Sequence, residues 1–188
     1  MDRRELIKMI TVLTGTAFIG GDLLLSGCKN EPAVANTVFS ADDVAFLDEV
    51  ADTILPTTSS PGAKAAKVGT FMTVMVNDCY DEKDQKTFHE GILKLDEACK
   101  KANSKSYMES APEQRTTFLM ALDKESKDYQ KNKKKEDPAH YFILMKQLTL
   151  FGYFTSKEGA TQALRYKAVP GRYDGCIDYK KGDKAWAT

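Results

Sequence analysis

The chain has 188 residues, which is enough for one domain with a buried core and short for two. Hydrophobic residues make up 42% and aromatic residues 10%, as in an ordinary globular protein. Lys plus Arg equals Asp plus Glu at 27 each, so no net field favours nucleic acid or an acidic partner. The densest basic run, Lys131–Lys135, contains no aromatic residue and is followed by two acids, which indicates a solvated helix end. We therefore expect no nucleic-acid partner.

The N-terminus has the layout of an export signal. A charged region with Arg3, Arg4 and Lys8 is followed by an apolar stretch over about 9–25. Two small residues then precede Cys28. This order predicts a secretory signal peptide over 1–27. The alternative is a transmembrane anchor, for which the stretch is only marginally long enough and is interrupted by Asp22.

Two motifs within this signal make the prediction more specific. Residues 3–8, RRELIK, resemble the twin-arginine motif, which directs already folded proteins to export. Residues 25–28, LSGC, resemble a bacterial lipobox, in which the Cys28 thiol is acylated. Acyl chains contribute about 0.8 kcal/mol per buried CH₂, so several chains would hold the protein on a membrane. We therefore expect an exported lipoprotein on the periplasmic side, with residues 28–39 as a polar tether.

The cysteines other than Cys28 would lie in an oxidising compartment, where disulfides persist. Cys79 and Cys99 are expected on one helix or on adjacent helices, so bridging them needs a geometry that sequence cannot establish. A disulfide from Cys176 to either of them is at least as plausible. The chain has no CxxC or CxxCH motif, which excludes a c-type haem on this chain and argues against zinc.

Helix signals fill the first half of the domain. Ser40, with an acid three residues later, predicts a helix start, and apolar residues at helical spacing continue to Pro56. A loop, PTTSSPG, follows by composition. We predict a second helix over about 63–79 and a third that starts near 81–82.

Helix signals also fill the second half. Ser110 with the following Ala-Pro-Glu predicts a helix start, and Asp137-Pro138 predicts another before the apolar stretch HYFILMKQLTLFGYF. That stretch is apolar on most sides, which predicts a central helix. A short helix is expected from a Thr155-Ser156 cap to about Leu164, and no strand pattern precedes residue 165. The sequence predicts an all-α, single bundle-like domain over 40–188, with five or six helices and an irregular, turn-rich C-terminal tail.

Catalytic signatures are missing from the sequence. His89 and His140 have no Cys, His or carboxylate partner at ligand spacing, so a surface or capping role is expected for each. The chain contains no GxSxG, no HExxH and no phosphate-cradling glycine-rich loop. We expect no catalytic, cofactor-binding or metal residues in this chain.

The tail combines turn signals with aromatic and basic side chains. Pro170-Gly171, Asp174-Gly175 and Gly182-Asp183 are successive turn signals. Two interpretations stay open: these side chains pack over the bundle, or they form a docking surface, since Tyr, Trp and Arg dominate interface hot spots. The candidate interface residues are Tyr153, Arg165, Tyr166, Pro170, Arg172, Tyr173 and Asp174.

The segment LTLFGYFTSKEGATQALRYKAVPGRYDGC, residues 148–176, is similar to the C-terminal signature of the gluconate 2-dehydrogenase subunit 3 family. The earlier segment FLDEVADTILPTTSSPGAKAAKVGTFM resembles the opening helix and Pro-Gly loop of that family, and DRRELIK resembles its signal. The resemblance covers nearly the whole chain. It implies a small accessory subunit of a periplasmic, membrane-associated sugar or polyol dehydrogenase.

The resemblance also implies the partners. A large flavoprotein of the glucose-methanol-choline (GMC) oxidoreductase type would hold FAD and oxidise the substrate, and a cytochrome c subunit with haem c often takes the electrons. The small subunit would aid folded export, stability and anchoring, without a cofactor of its own. Two alternatives remain: a chain that itself oxidises a sugar, and a free-standing lipoprotein that binds a carbohydrate or a surface partner.

Overall fold

The computed structural model describes residues 39–187. The predicted signal peptide, Arg3, Arg4, Cys28 and nearly all of the tether lie outside this range. Within it the fold is all-α, as predicted, with only one two-stranded ribbon. Five α-helices are present: α1 (Ala41–Ile54), α2 (Val68–Cys79), α3 (Glu82–Asn103), α4 (Pro112–Asn132) and α5 (Tyr141–Thr155). A π-helical turn (Gly159–Ala163) and the strands β1 (Arg165–Tyr166) and β2 (Trp186–Ala187) follow.

Two of the predicted helix starts are confirmed by their caps. The Ser40 hydroxyl accepts a hydrogen bond from the Asp43 N–H at 3.1 Å, and the Asp43 carboxylate accepts one from the Ser40 N–H at 2.9 Å. This reciprocal box satisfies two of the N–H groups that a helix start leaves unpaired. The Asp81 carboxylate caps α3 in a similar way, accepting from the Asp84 N–H at 2.8 Å.

The prediction that α2 starts near residue 63 is wrong. The chain forms turns over 63–67, and Lys67 adopts a left-handed conformation with φ of 53°. The Ala63 N–H donates to the Leu55 carbonyl at 2.9 Å, which folds this segment back against the end of α1. Regular helix begins only at Val68.

The predicted caps of α4 and α5 are each displaced towards the C-terminus. Ser110 is buried and its hydroxyl donates to the Ser106 carbonyl at 2.8 Å, so Ala111 is the residue before α4. The Asp137 carboxylate accepts from the Lys134 N–H at 2.9 Å within the preceding turn. His140 caps α5 instead, because its Nδ1 accepts from the N–H two residues later at 3.2 Å.

Helix α5 is central, as its composition predicts. It packs against each of the other four helices, and its buried side chains include Phe142, Met145 and Leu148. The remaining core is built from one face of each surrounding helix. The fully buried large side chains that meet there are Leu47, Val50, Val68, Met72, Val76, Phe88, Leu95 and Tyr107. None of the helices within 39–187 combines the length and apolarity needed to cross a bilayer.

Helices α1 and α2 meet at a glycine contact. The Gly69 N–H donates to the Asp48 carboxylate at 2.7 Å, and a Cβ at Gly69 would lie 2.6 Å from the Val44 carbonyl oxygen. Burial raises the pKa of Asp48, while this hydrogen bond lowers it. Only a glycine lets the backbones approach this closely.

Arg115 joins three parts of the bundle. Its Nη1 donates to the Glu49 carboxylate of α1 at 2.5 Å, while its Nε and Nη2 donate to the Tyr107 and Met108 carbonyls at 2.9 and 2.7 Å. Lys64 pairs with the same carboxylate. The buried Tyr107 ring lies under the guanidinium. Burial raises the pKa of the Tyr107 hydroxyl to about 12. One cation on α4 therefore fixes both α1 and the loop between α3 and α4.

Replacing Arg115 with Met should lower the free energy of unfolding by about 3 kcal/mol. Two backbone carbonyls would lose their hydrogen-bond donor, and the mostly buried ion pair with Glu49 would be broken. Urea unfolding followed by helical circular dichroism measures this. As a control, Lys127→Met removes an exposed pair with Asp123 and should cost no more than about 0.5 kcal/mol. Equal losses in the two variants would contradict a structural role for Arg115.

Candidate partner-docking site

The tail leaves the bundle through a tight turn after α5. The Ser156 hydroxyl accepts from the Gly159 N–H at 3.0 Å and donates to the Tyr153 carbonyl at 2.7 Å. A Cβ at Gly159 would lie 1.9 Å from that carbonyl oxygen, so the turn requires glycine. The predicted Ser156 cap is confirmed, but the short helix after it continues as the π-helical turn.

A two-residue parallel ribbon closes the tail into a loop. Strand β1 pairs with β2, with Arg165 opposite Trp186, and the Arg165 N–H donates to the Ala185 carbonyl at 2.8 Å. The Arg165 guanidinium lies 3.9 Å from the centre of the Trp186 ring. This cation–π contact and the ladder bonds hold the two ends of the segment 167–185 together. The sequence pattern did not predict it, because two-residue strands are too short for any periodicity.

Successive turns shape the loop between the two strands. Gly171 has a φ of +80°, and the Arg172 N–H donates to the Pro170 carbonyl at 3.0 Å across it. Gly182 has a φ of +99°, in a turn where the Asp183 N–H donates to the Lys180 carbonyl at 2.9 Å. Two of the three predicted turns are thus confirmed with glycines in the left-handed region that other residues rarely adopt, while at Asp174-Gly175 the chain only bends.

The loop lies around an open cleft of about 530 Å³. Basic, acidic, aromatic and aliphatic side chains form the walls of this cleft. They are Lys167, Pro170, Arg172, Tyr173, Asp174, Ile177 and Trp186. The Tyr173 side chain is 95% exposed. The one ion pair found within the loop joins the Arg172 guanidinium to the Asp174 carboxylate at 3.5 Å. The cleft is thus a surface feature and not a continuation of the core.

The structure places six of the seven candidate interface residues on this surface. Arg165, Tyr166, Pro170, Arg172, Tyr173 and Asp174 are all exposed. Tyr153 is the exception, and its assignment to a contact surface is wrong. Its side chain is 4% exposed and its hydroxyl donates to the Pro61 carbonyl at 2.6 Å, so it fixes α5 to the Pro-Gly loop. A buried aromatic with a hydroxyl needs such a partner.

The three cysteines of the described residues are free, so none of the three disulfide pairings left open by the sequence is present in the structure. Cys79 and Cys176 are exposed. Cys99 is buried, with its Sγ 3.5 Å from the Ser110 hydroxyl. Nothing in residues 39–187 therefore pins the tail covalently to the bundle.

The two histidines have structural environments. The sequence predicts a surface or capping role for each. His140 has the capping role, at the start of α5, and stacks on Tyr141 with ring centres 4.5 Å apart. His89 has neither role: it lies within α3, half-buried and stacked on Phe39 at 4.0 Å. Its Nε2 is buried without a hydrogen-bond partner among the described residues.

The described residues bring no catalytic cluster together. No group of three or more His, Cys, Asp or Glu side chains in 39–187 has a metal-ligand arrangement. Nor do these residues form the strand, glycine loop and helix that cradle the pyrophosphate of a dinucleotide such as FAD. The exposed tail, with its aromatic and basic side chains, is a feature of this part of the chain that suits molecular recognition.

One comparison with known proteins gave a match. The model of the family described as gluconate 2-dehydrogenase subunit 3 matches residues 41–171, which is more than half of the chain. The match spans all five helices, the π-helical turn and the first strand. Comparison with curated proteins and with solved structures gave no match.

Replacing Trp186 with Ala should open the ribbon without unfolding the bundle, because the ring contacts Arg165 of the loop base. Trypsin should then cut after Lys180 or Lys184 about tenfold faster, as expected for a loop released from its anchor. Timed proteolysis with mass spectrometry measures the rate. Trp186→Phe keeps a ring over the guanidinium and serves as the control; equally fast cleavage of both variants would contradict the stacking contact.

Stability should fall as the pH falls below about 6.5. Burial lowers the pKa of His140 and of His89 in the folded protein below the ordinary value of 6.5. As the pH falls through 6.5, these histidines are therefore protonated in the unfolded chain before they are protonated in the folded one, which favours unfolding. The stabilisation is complete above that pH and is lost as the pH drops towards the folded-state values.

Thermal unfolding at pH 7.5 and 5.5 measures this effect. His140→Asn keeps a capping acceptor and His89→Phe keeps a ring against Phe39, so the double variant should fold but lose most of the pH dependence. An unchanged slope between pH 7.5 and 5.5 would assign the effect to other groups.

Proposed function

The chain belongs to the gluconate 2-dehydrogenase subunit 3 family, and we propose that it is the non-catalytic accessory subunit of a membrane-associated, FAD-dependent sugar or polyol dehydrogenase. Proteins of this family are subunits of a gluconate 2-dehydrogenase complex, which implies partner subunits. The catalytic partner is a large flavoprotein of the GMC type that holds FAD. A cytochrome c subunit with haem c accepts the electrons.

The observation that carries this proposal is the division of the domain into a closed helical bundle and an exposed tail. Its helical bundle has an ordinary closed core, while the tail exposes Tyr166, Tyr173, Tyr179 and Trp186 to solvent. Large aromatic side chains concentrated on one exposed segment suit a surface that is covered in a complex. A subunit of this kind contributes binding and stability, and the chemistry belongs to its partner.

The N-terminal motifs supply the export and anchoring part of the proposal. Arg3 and Arg4 direct the folded subunit, together with its loaded flavoprotein, to the twin-arginine machinery. Acylation of Cys28 then holds the complex on the periplasmic side of a membrane. Folded export suits a partner that must acquire FAD before it leaves the cytoplasm.

Affinity purification of the tagged, detergent-solubilised full chain tests the proposal. We expect a large FAD-containing flavoprotein to co-purify in about equal amount. A chain that is recovered alone and colourless would contradict the accessory role and favour a free-standing lipoprotein. A chain that alone binds flavin and reduces an artificial electron acceptor would favour the enzyme alternative.

The escort function is tested by replacing Arg3 and Arg4 with Lys. We expect both this chain and the flavoprotein to remain in the cytoplasm, because the twin-arginine motif is lost while the charge is kept. Lys8→Arg is the matched control and should leave export unchanged. Cell fractionation with flavin assay measures the outcome, and a flavoprotein that still reached the periplasm in the Lys-Lys variant would exclude the escort role.

A further inference from the structure

Charge is divided unevenly along a chain whose total is zero. The helical part, residues 39–163, has 17 Lys and Arg against 20 Asp and Glu, a net charge of −3. The segment 164–188 has six Lys and Arg against three Asp, a net charge of +3. The tail therefore presents a positive surface on an otherwise acidic domain.

Two basic groups of the tail lie at the cleft and have no tight ion pair within the described part of the domain. Lys167 and Arg172 line the cleft, and the Arg172 side chain is 87% exposed, with only the 3.5 Å contact to Asp174. Ion pairs elsewhere in the domain are more compact: Lys146 and Lys127 both lie within 2.7 Å of the Asp123 carboxylate. Among the described residues, Arg172 is the one basic residue of the tail with an ion pair, so most of the positive charge of the tail lacks a carboxylate partner.

Apolar and aromatic groups lie between these charges. Tyr173 is 95% exposed, Val169 77%, Ile177 50% and Trp186 47%, and three of the four line the cleft. Residues 167–185 hydrogen-bond to the preceding turn only through Lys184, whose ammonium donates to the Gln162 carbonyl, and make no such bond to α1–α5. The loop is therefore held at its base, and its outer face is available.

We propose that this C-terminal strip, residues 164–187, docks onto an acidic surface of the catalytic flavoprotein that has an apolar centre. The inference rests on the proposed function, because it names the chemistry of the partner surface. Carboxylates on the flavoprotein pair with Lys167 and Arg172, and an apolar side chain enters the cleft beside Tyr173 and Trp186. Charge complementarity of this kind steers association and fixes its orientation, while the aromatic contacts carry most of the affinity.

An anionic membrane surface is the competing occupant, and the composition of the strip argues against it. Segments that bind anionic lipid cluster their Lys and Arg. Here Asp174, Asp178 and Asp183 are interspersed among the basic residues. That mixture of charges, together with a shaped cleft, fits a protein surface with defined partners for each sign of charge.

The test uses the detergent-solubilised full chain and the purified flavoprotein, with the dissociation constant measured at 50 and 500 mM NaCl. The wild-type complex should weaken about tenfold or more at high salt, because interfacial charge pairs are screened. Lys167→Glu with Arg172→Glu should weaken binding about 30-fold at low salt and remove most of the salt dependence. Tyr173→Ala should weaken binding about tenfold at both salt concentrations, because it removes apolar contact only.

Two matched controls separate the strip from general effects. Lys134→Glu with Lys135→Glu makes the same change in charge in the turn before α5, at the opposite end of that helix, and should alter affinity less than threefold. Leu93→Ala removes an exposed apolar side chain of α3 and should be equally mild. The three control positions, like the three positions changed in the strip, are exposed, so the variants should fold.

The outcomes are distinguishable. A complex that forms normally but responds equally to the strip and control reversals overturns the strip as the docking surface and leaves the accessory function standing. A complex weakened by Tyr173→Ala yet insensitive to salt overturns the acidic partner surface. Affinity unchanged by the reversal, combined with lost sedimentation on phosphatidylglycerol vesicles when the reversal is made in a non-acylated Cys28→Ser full chain, assigns the strip to the membrane. No complex under any condition overturns the proposed function itself.

Discussion

Helix α5 sets the arrangement of the whole bundle, because it is apolar on almost every side and has to be covered. The four other helices each contribute one apolar face to it, and they meet around Phe142, Met145 and Leu148. Arg115 then locks two of the surrounding segments together from outside the core. The tail follows directly from the covered helix, through a turn that fits only because Gly159 has no Cβ. The position of the strip on the domain is therefore a consequence of how α5 is buried.

The core of the bundle is closed, and the exposed tail is the surface that we propose for docking. Most polar groups that are buried in the bundle have internal partners, such as the Tyr107 hydroxyl on Thr53 and the Tyr153 hydroxyl on Pro61. The exposed aromatic and basic groups that we propose for docking lie outside the bundle, mostly on the loop from 167 to 185. The zero net charge of the chain conceals this arrangement, since it is the sum of an acidic bundle and a basic tail. The net charge of the whole chain gave no reason to expect an acidic partner. The distribution of charge along the fold supports the acidic partner surface that we propose.

The sequence predicted the helical class and the central helix because long amphipathic or apolar stretches leave a strong periodic signal. Helix starts were predicted less well, since several residues compete as caps. Ser110 and Asp137 have the right chemistry, yet one is buried in the preceding turn and the other closes a different turn. Tyr153 was named among the candidate interface residues, but it lies on the buried face of α5. The ribbon between Arg165 and Trp186 had no local signal, because it depends on a pairing across about 20 residues.

That ribbon also bears on the entropy of binding. Closing a loop of about 20 residues costs roughly 2–3 kcal/mol of chain entropy, beyond a constant for any closure. Here the cost is met when the domain folds, by the ladder bonds and the stacked guanidinium at the base. A free C-terminal segment would lose that freedom only on contact with a partner, at the expense of affinity. The small subunit thus presents a partly pre-organised loop, in which Gly171 and Gly182 fix the turns before any partner arrives.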